Sequence, residues 1–185
     1  MGKILLIVDM LNDFIKPDGK LYFEKGQGVV AVIAEIKAAW QAAGLPRMYV
    51  NDAHPQDSRE FSVWPQHCLV GSWGARIIDE LPPGPGDIIL HKDSLTIFSD
   101  DTAVGLLRGL GASELYLVGV ATEYCVLACA LDAMLHGFAV TVVLDAIAGV
   151  DLAAGDAQRA LEAMEQAGVA FATSNDIVKK WPHPS

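Results

Sequence analysis

The run Glu114-Leu-Tyr-Leu-Val-Gly119-Val-Ala-Thr-Glu-Tyr-Cys125-Val-Leu-Ala-Cys129-Ala-Leu-Asp-Ala-Met134 changes its hydrophobic period partway along. Its first six residues read as a short buried strand, and from Cys125 onward the spacing is helical. A strand that feeds directly into a helix is half of a β-α-β unit, and the rest of the chain repeats the pattern. Apolar runs of similar length lie at Lys3 to Val8, Arg47 to Asn51, Asp87 to His91, Phe138 to Leu144 and Ala170 to Thr173. They lack inside-outside alternation, as expected of parallel strands covered on both faces. Between them, Val29, Ile33, Ile36, Trp40 and Ala43 keep helical spacing up to Gly44 and Pro46. Asp100 and Asp101 offer caps to a helix carrying Val104, Leu107 and Leu110, and Ala157, Ala160, Leu161, Met164 and Ala167 precede Gly168. The alternation predicts an α/β fold, an open doubly wound six-stranded parallel sheet with helices on both faces, built as one domain over residues 1–185. A site in such a sheet belongs beyond the carboxyl ends of the strands.

Composition narrows the function. The 185 residues carry a net charge of -10, which repels phosphate backbones and anionic lipid, so neither nucleic acid nor a membrane is expected as partner. Mean hydropathy is +0.32, yet no apolar run reaches the roughly 18 residues of a membrane span. The N-terminal run Ile4 to Val8 is too short for a signal-peptide core, and a cytoplasmic location is expected. Three cysteines, Cys68, Cys125 and Cys129, are few and odd in number, which argues for reduced thiols.

Asp9 follows the first strand, Lys92 the third, and Cys125 lies just beyond the fourth, so all three point at one rim of the sheet. Taken singly, each has an ordinary structural explanation: a turn cap, a solvated strand end, a small core residue. Together they supply a nucleophile, a carboxylate to take its proton and a cation to stabilise charge. Cys125 at a helix start is expected to feel the positive dipole end, which lowers a thiol pKa. Cys129, one turn later, reads as packing.

The loop from Asp52 to Gly74 is long, polar and aromatic, a length usually tied to function. Asn51-Asp-Ala-His54 opens it and Trp64-Pro-Gln-His67-Cys68 follows. Asp52, His54 and His67 could form the ligand set of a divalent metal such as zinc, with water completing it, and Glu60 could add a carboxylate oxygen. Cys68 reads as packing, His91 as a core or orienting residue, and His136 and His183 as surface residues.

The segments Leu6-Ile-Val-Asp-Met-Leu-Asn-Asp-Phe14, His91-Lys92 and Gly119-Val-Ala-Thr-Glu-Tyr-Cys125 resemble the signatures of cysteine hydrolases related to nicotinamidase and isochorismatase. The resemblance implies a triad of Asp9, Lys92 and Cys125, a cis peptide between Val120 and Ala121, and an oxyanion hole from the amides of Ala121 and Cys125. It implies substrate contacts from Phe14, Trp64, Val120 and Ala121, and one divalent ion on Asp52, His54 and His67. Many relatives carry a further histidine where this chain has Ser58, and smaller apolar residues where it has Tyr22 and Phe23. The activity implied is hydrolysis of an amide, foremost nicotinamide, by a homo-oligomer. The competing readings are hydrolysis of an N-carbamoyl or ureido compound, which keeps the triad without needing the metal, and a non-catalytic redox sensor.

Overall fold

The computed structural model of the chain describes residues 2–180; His183 lies outside them. Six strands form one parallel sheet: β1 (Gly2–Val8), β2 (Arg47–Asp52), β3 (Ile88–Lys92), β4 (Ala112–Val120), β5 (Ala139–Ala148) and β6 (Ala170–Ala172), in the order β3-β2-β1-β4-β5-β6. The six strands fall where the apolar runs predict them. β4 starts two residues earlier and β5 runs four residues further, past a register shift against β4.

The helices are α1 (Asn12–Ile15), α2 (Glu24–Gly28), α3 (Val30–Ala42), α4 (Asp101–Gly109), α5 (Leu127–Leu135), α6 (Asp156–Gln166) and α7 (Ser174–Lys180). The cap expected at Asp100 is present, its carboxylate accepting from the Thr102 amide at 2.8 Å. Along β1, Ile4, Leu6 and Val8 pack on one side with Val104 and Leu107 of α4, Ala130 and Ala133 of α5 and Met164 of α6. Leu5 and Ile7 face the other side, with Ile33, Ile36 and Trp40 of α3 and Ile177 of α7. β1 is apolar at every position from Ile4 to Val8 because each face has its own core. None of the described helices is long and apolar enough to cross a membrane.

Strand order reverses between β1 and β4, and at this point two chain segments leave the sheet in opposite directions. Gly119 makes the close approach possible there. Its φ is +118°, and a Cβ on it would stand 2.0 Å from the Val8 carbonyl oxygen. The peptide between Val120 and Ala121 is cis. Cys125 does not open an α-helix as its spacing suggests. It sits in a wide π-type turn, Thr122–Val126, in which the Val126 amide reaches back five residues to the Ala121 carbonyl at 3.2 Å, and α5 begins only afterwards.

Candidate active site

The three strand ends converge. Asp9 (after β1), Lys92 (last residue of β3) and Cys125 are all buried, and Lys92 Nζ stands 2.9 Å from Asp9 Oδ2 and 3.4 Å from Cys125 Sγ. The thiol lies beside the Asp9 carboxylate, with sulfur and carboxylate oxygens of Asp9 and Asp52 within 4.8 Å of one another. Asp9 Oδ1 accepts the Asp52 amide at 2.7 Å, which leaves Oδ2 for the ammonium and the thiol. Asp9 takes a left-handed conformation, φ +51°, to turn its side chain back over the sheet end.

Burial, then the charge of Asp52, pushes the Asp9 carboxyl up to about 6 against the pull of Lys92. Burial would lower Lys92, but Asp52 and Asp9 outweigh it and hold the ammonium charged. The thiol departs from its expectation: burial, with Asp9 and Asp52 beside it, raises Cys125 well above its ordinary value despite Lys92. A helix start considered alone lowers a thiol pKa, but here the wide turn delivers the sulfur to two carboxylates. The proton therefore stays on sulfur, beside the base that can remove it.

Asp52 joins this trio to a second cluster. Its Oδ1 accepts from Lys92 Nζ, while Oδ2 lies 3.4 Å from His54 Nε2 and 3.9 Å from His67 Nε2. Ligand atoms of Asp52, His54 and His67 all fall within 4.8 Å of one another. The two imidazoles are held from behind. His54 Nδ1 donates to Asp93 Oδ1 at 2.6 Å and His67 Nδ1 to the Pro65 carbonyl at 2.8 Å, so both Nε2 atoms face inward. His54 Nε2 is buried without a hydrogen-bond partner among the described residues. Two backed imidazoles and one carboxylate, with an orphaned ring nitrogen between them, fit a divalent ion of the zinc type.

Glu60 is not drawn into this group. It sits on the 3-10 turn Arg59–Ser62 and lines the adjoining cavity, while its turn is capped by Ser58, whose Oγ accepts the Glu60 amide at 3.2 Å. Ser58, at the position where the resemblance leads one to expect a histidine, also donates its hydroxyl to Asp93 Oδ1 at 2.6 Å and so braces the residue behind His54. His91 is exposed rather than in the core, because β3 is an edge strand of the sheet. Cys68 and Cys129 are buried packing residues as expected, and His136 is half-buried, stacked on Phe98.

Thiol and histidine cluster open into one cavity of about 270 Å³. Its lining comes from four stretches of chain beside the triad, Phe14 with Leu21 to Phe23, Trp64 with His67, Val120 and Ala121 with Tyr124, and Val150 with Leu152. Phe14 meets His67 edge-on at 5.6 Å and Trp64 meets Tyr124 at 5.2 Å, so aromatic edges fix the shape of a slot suited to a flat ring. Two residues the sequence reading passed over hold this arrangement. One is Asp93. The other is Asp13, whose Oδ2 accepts the Cys68 amide at 2.7 Å and so pins the loop that carries His67.

A doubly wound parallel sheet with a buried thiol, carboxylate and ammonium at its switch point has the parts of a thiol hydrolase. Residues 3–176 match the isochorismatase domain, and the chain belongs to that family. Within it, the chain is a nicotinamidase-like hydrolase. It is 31% identical to the nicotinamidase/pyrazinamidase of Mycobacterium tuberculosis, over 94% of this chain and 100% of that one. The crystal structure of the Pyrococcus horikoshii pyrazinamidase in complex with zinc is 33% identical, with a TM-score of 0.84 over 94% and 99% of the two chains. The N-carbamoylsarcosine amidase of Thermoplasma acidophilum is 28% identical and superposes equally well, TM-score 0.84, over 95% and 98%.

Proposed function

We propose that the protein is a metal-assisted cysteine amidohydrolase that converts nicotinamide to nicotinate and ammonia. One observation carries the reading: the Asp52, His54, His67 cluster and the Cys125 thiol face the same slot, which Phe14 and Trp64 border. A chain hydrolysing only carbamoyl groups would have no use for two imidazoles braced from behind. Zinc held by Asp52, His54 and His67 would orient a pyridine ring and draw electron density from it.

The remaining chemistry falls to side chains and amides. Asp9 Oδ2 takes the Cys125 proton as sulfur bonds to the amide carbon, and the negative charge that develops on the amide oxygen is met by the amides of Ala121 and Cys125. Asp9 then passes the proton to the departing nitrogen, ammonia leaves and a thioester remains. Water, losing a proton to Asp9, attacks the thioester; nicotinate departs and the thiol regains its proton. Lys92 keeps the Asp9 carboxylate facing the sulfur throughout, its charge offsetting the thiolate as it forms.

A second reading draws on Lys20, which lines the cavity and has no carboxylate ion pair among the described residues. A cation there suits an N-carbamoyl or ureido acid. Ammonia release from nicotinamide and from such acids, measured with the metal content of the same preparation, separates the two. Nicotinamide turnover that is lost in Cys125→Ala, with the fold intact by circular dichroism, is the expected result. A metal-free protein that cleaves only the ureido acid would overturn the proposal.

A further inference from the structure

Asp151 lies outside the triad and the histidine cluster, yet it uses three polar groups on three different parts of the molecule. It takes a left-handed conformation, φ +57°, uncommon for a residue with a side chain. Its amide donates to Glu123 Oε1 at 2.7 Å, two residues before the nucleophile in sequence. Its Oδ1 accepts the Ala157 amide in the first turn of α6 at 2.9 Å, and its Oδ2 meets Lys25 Nζ at 2.7 Å. Lys25 belongs to α2, directly after the lining residues Leu21 to Phe23, while Val150 and Leu152 on either side of Asp151 line the same cavity. The ion pair, between residues 126 apart in sequence, therefore ties together two stretches of the cavity lining.

We propose that Lys25, Asp151 and Glu123 form a clasp across the cavity mouth, which sets the width of the slot and hence the size of acyl group admitted to Cys125. The proposal rests on the reading of Cys125 as the nucleophile. Asp151 and Lys25 are positioning residues, since neither lines the cavity nor touches the thiol. The Glu123 bond fixes the turn to the nucleophile segment from within, and Lys25 closes it from outside. Lys25 is 62% exposed and Asp151 26%, so the outer link is the weak one and opens first, while the Glu123 bond and the α6 cap keep the turn folded. Leu152 is 67% exposed although it borders the slot, so the wall the clasp holds has little packing of its own.

The test compares alkylation of Cys125 by a small reagent, iodoacetamide, and a bulky aryl maleimide, with the labelled peptide identified by mass spectrometry. In Lys25→Met and Asp151→Asn the ratio of bulky to small rates is expected to rise severalfold, with the melting temperature nearly unchanged. Asn tolerates the left-handed backbone and keeps the acceptor for Ala157, so that variant removes only the ion pair. Lys25→Arg should restore the wild-type ratio. For whichever amide the wild type hydrolyses, KM should rise while kcat stays within about twofold, as befits lost positioning rather than lost chemistry. An unchanged ratio in both variants, with the wild type active, overturns the clasp. If the wild type hydrolyses no amide but the ratio still rises, the clasp stands and the assigned activity falls.

Discussion

Removing the Asp93 side chain tests whether the histidine cluster is built to hold a metal or merely brings polar groups together. Asp93 touches no inferred ligand atom on its metal-facing side; it fixes His54 from behind through a 2.6 Å hydrogen bond to Nδ1 and is itself braced by Ser58 at 2.6 Å. Slight burial would raise its carboxyl, but the bonds from Ser58 and His54 prevail and hold it below the usual carboxylate range, so it meets the imidazole as an anion. Losing such a support typically weakens metal binding 10- to 100-fold, about 1.4 to 2.8 kcal/mol. The Asp93 side chain is 45% exposed, so water can partly replace it, which places Asp93→Ala in the lower part of that range, about 10- to 30-fold. Ser58→Ala removes one neutral hydroxyl further out and should cost only about threefold to fivefold. Competition of the apoprotein with a chromogenic chelator for zinc gives both values. Excess zinc should restore nicotinamide turnover in Asp93→Ala, and with it the wild-type rate of iodoacetamide labelling at Cys125. A zinc Kd within about twofold of wild type would show that His54 does not depend on Asp93, and the metal assignment would lose its main structural support.

Asp9 must be ionised to take the thiol proton, and its carboxyl is pushed up to about 6 by burial and the neighbouring Asp52, so the base form is lost as pH falls through that value. In metal-free protein, thiol alkylation should therefore drop about tenfold per pH unit below it, and a limb centred near pH 4 would move the base elsewhere. Gly119→Ala should lower the melting temperature on the order of 6 to 12 °C, from a cost of about 3 kcal/mol for a Cβ driven into the Val8 carbonyl at positive φ; a shift under about 2 °C would mean that β1 and β4 can separate there. Glu60→Gln should leave the zinc stoichiometry unchanged, because the carboxylate lies outside the cluster, and a loss of metal measured by plasma emission would return Glu60 to the ligand set.

The sheet was legible because its evidence is local and redundant. Each buried strand announces itself by a run of apolar residues, and β1, β2 and β3 fall within a residue or two of those runs. The short helices α1 and α2 were not legible, since four or five residues carry no period. The positions of Asp9, Lys92 and Cys125 could be read because strand ends in a parallel sheet share a rim. Their protonation could not. Cys125 next to a helical run suggests an acidic thiol, but burial and the carboxylates brought in just after β1 and at the end of β2 oppose this, and no local rule counts them. Asp93, Asp13 and Asp151 were missed for the same reason. Their decisive bonds reach across 39, 55 and 126 residues of sequence, and an aspartate in a loop looks the same whether it is solvated or holds a site together.

Charge explains why the two clusters share a carboxylate. Asp9 and Asp52 are buried a few ångströms apart, and one ammonium, Lys92, lies against both. Burial raises the cost of each negative charge, so a single cation leaves the group short of neutral. The shortfall appears in two places: Asp9 is held up to about 6, and His54 is raised above its ordinary value, the negative charges of Asp52 and Asp93 beside it outweighing burial. Either a proton on His54 or a divalent ion between the imidazoles would supply the missing positive charge. Because Asp52 spends one oxygen on Lys92 and turns the other toward both imidazoles, whatever sits in the histidine cluster also changes the field at Asp9 and, through it, at the thiol. Metal binding and thiol chemistry are thus coupled through one side chain, and a substitution at Asp52 would disable both together, whereas His54 or His67 can be changed with the Asp9, Lys92 and Cys125 contacts left in place.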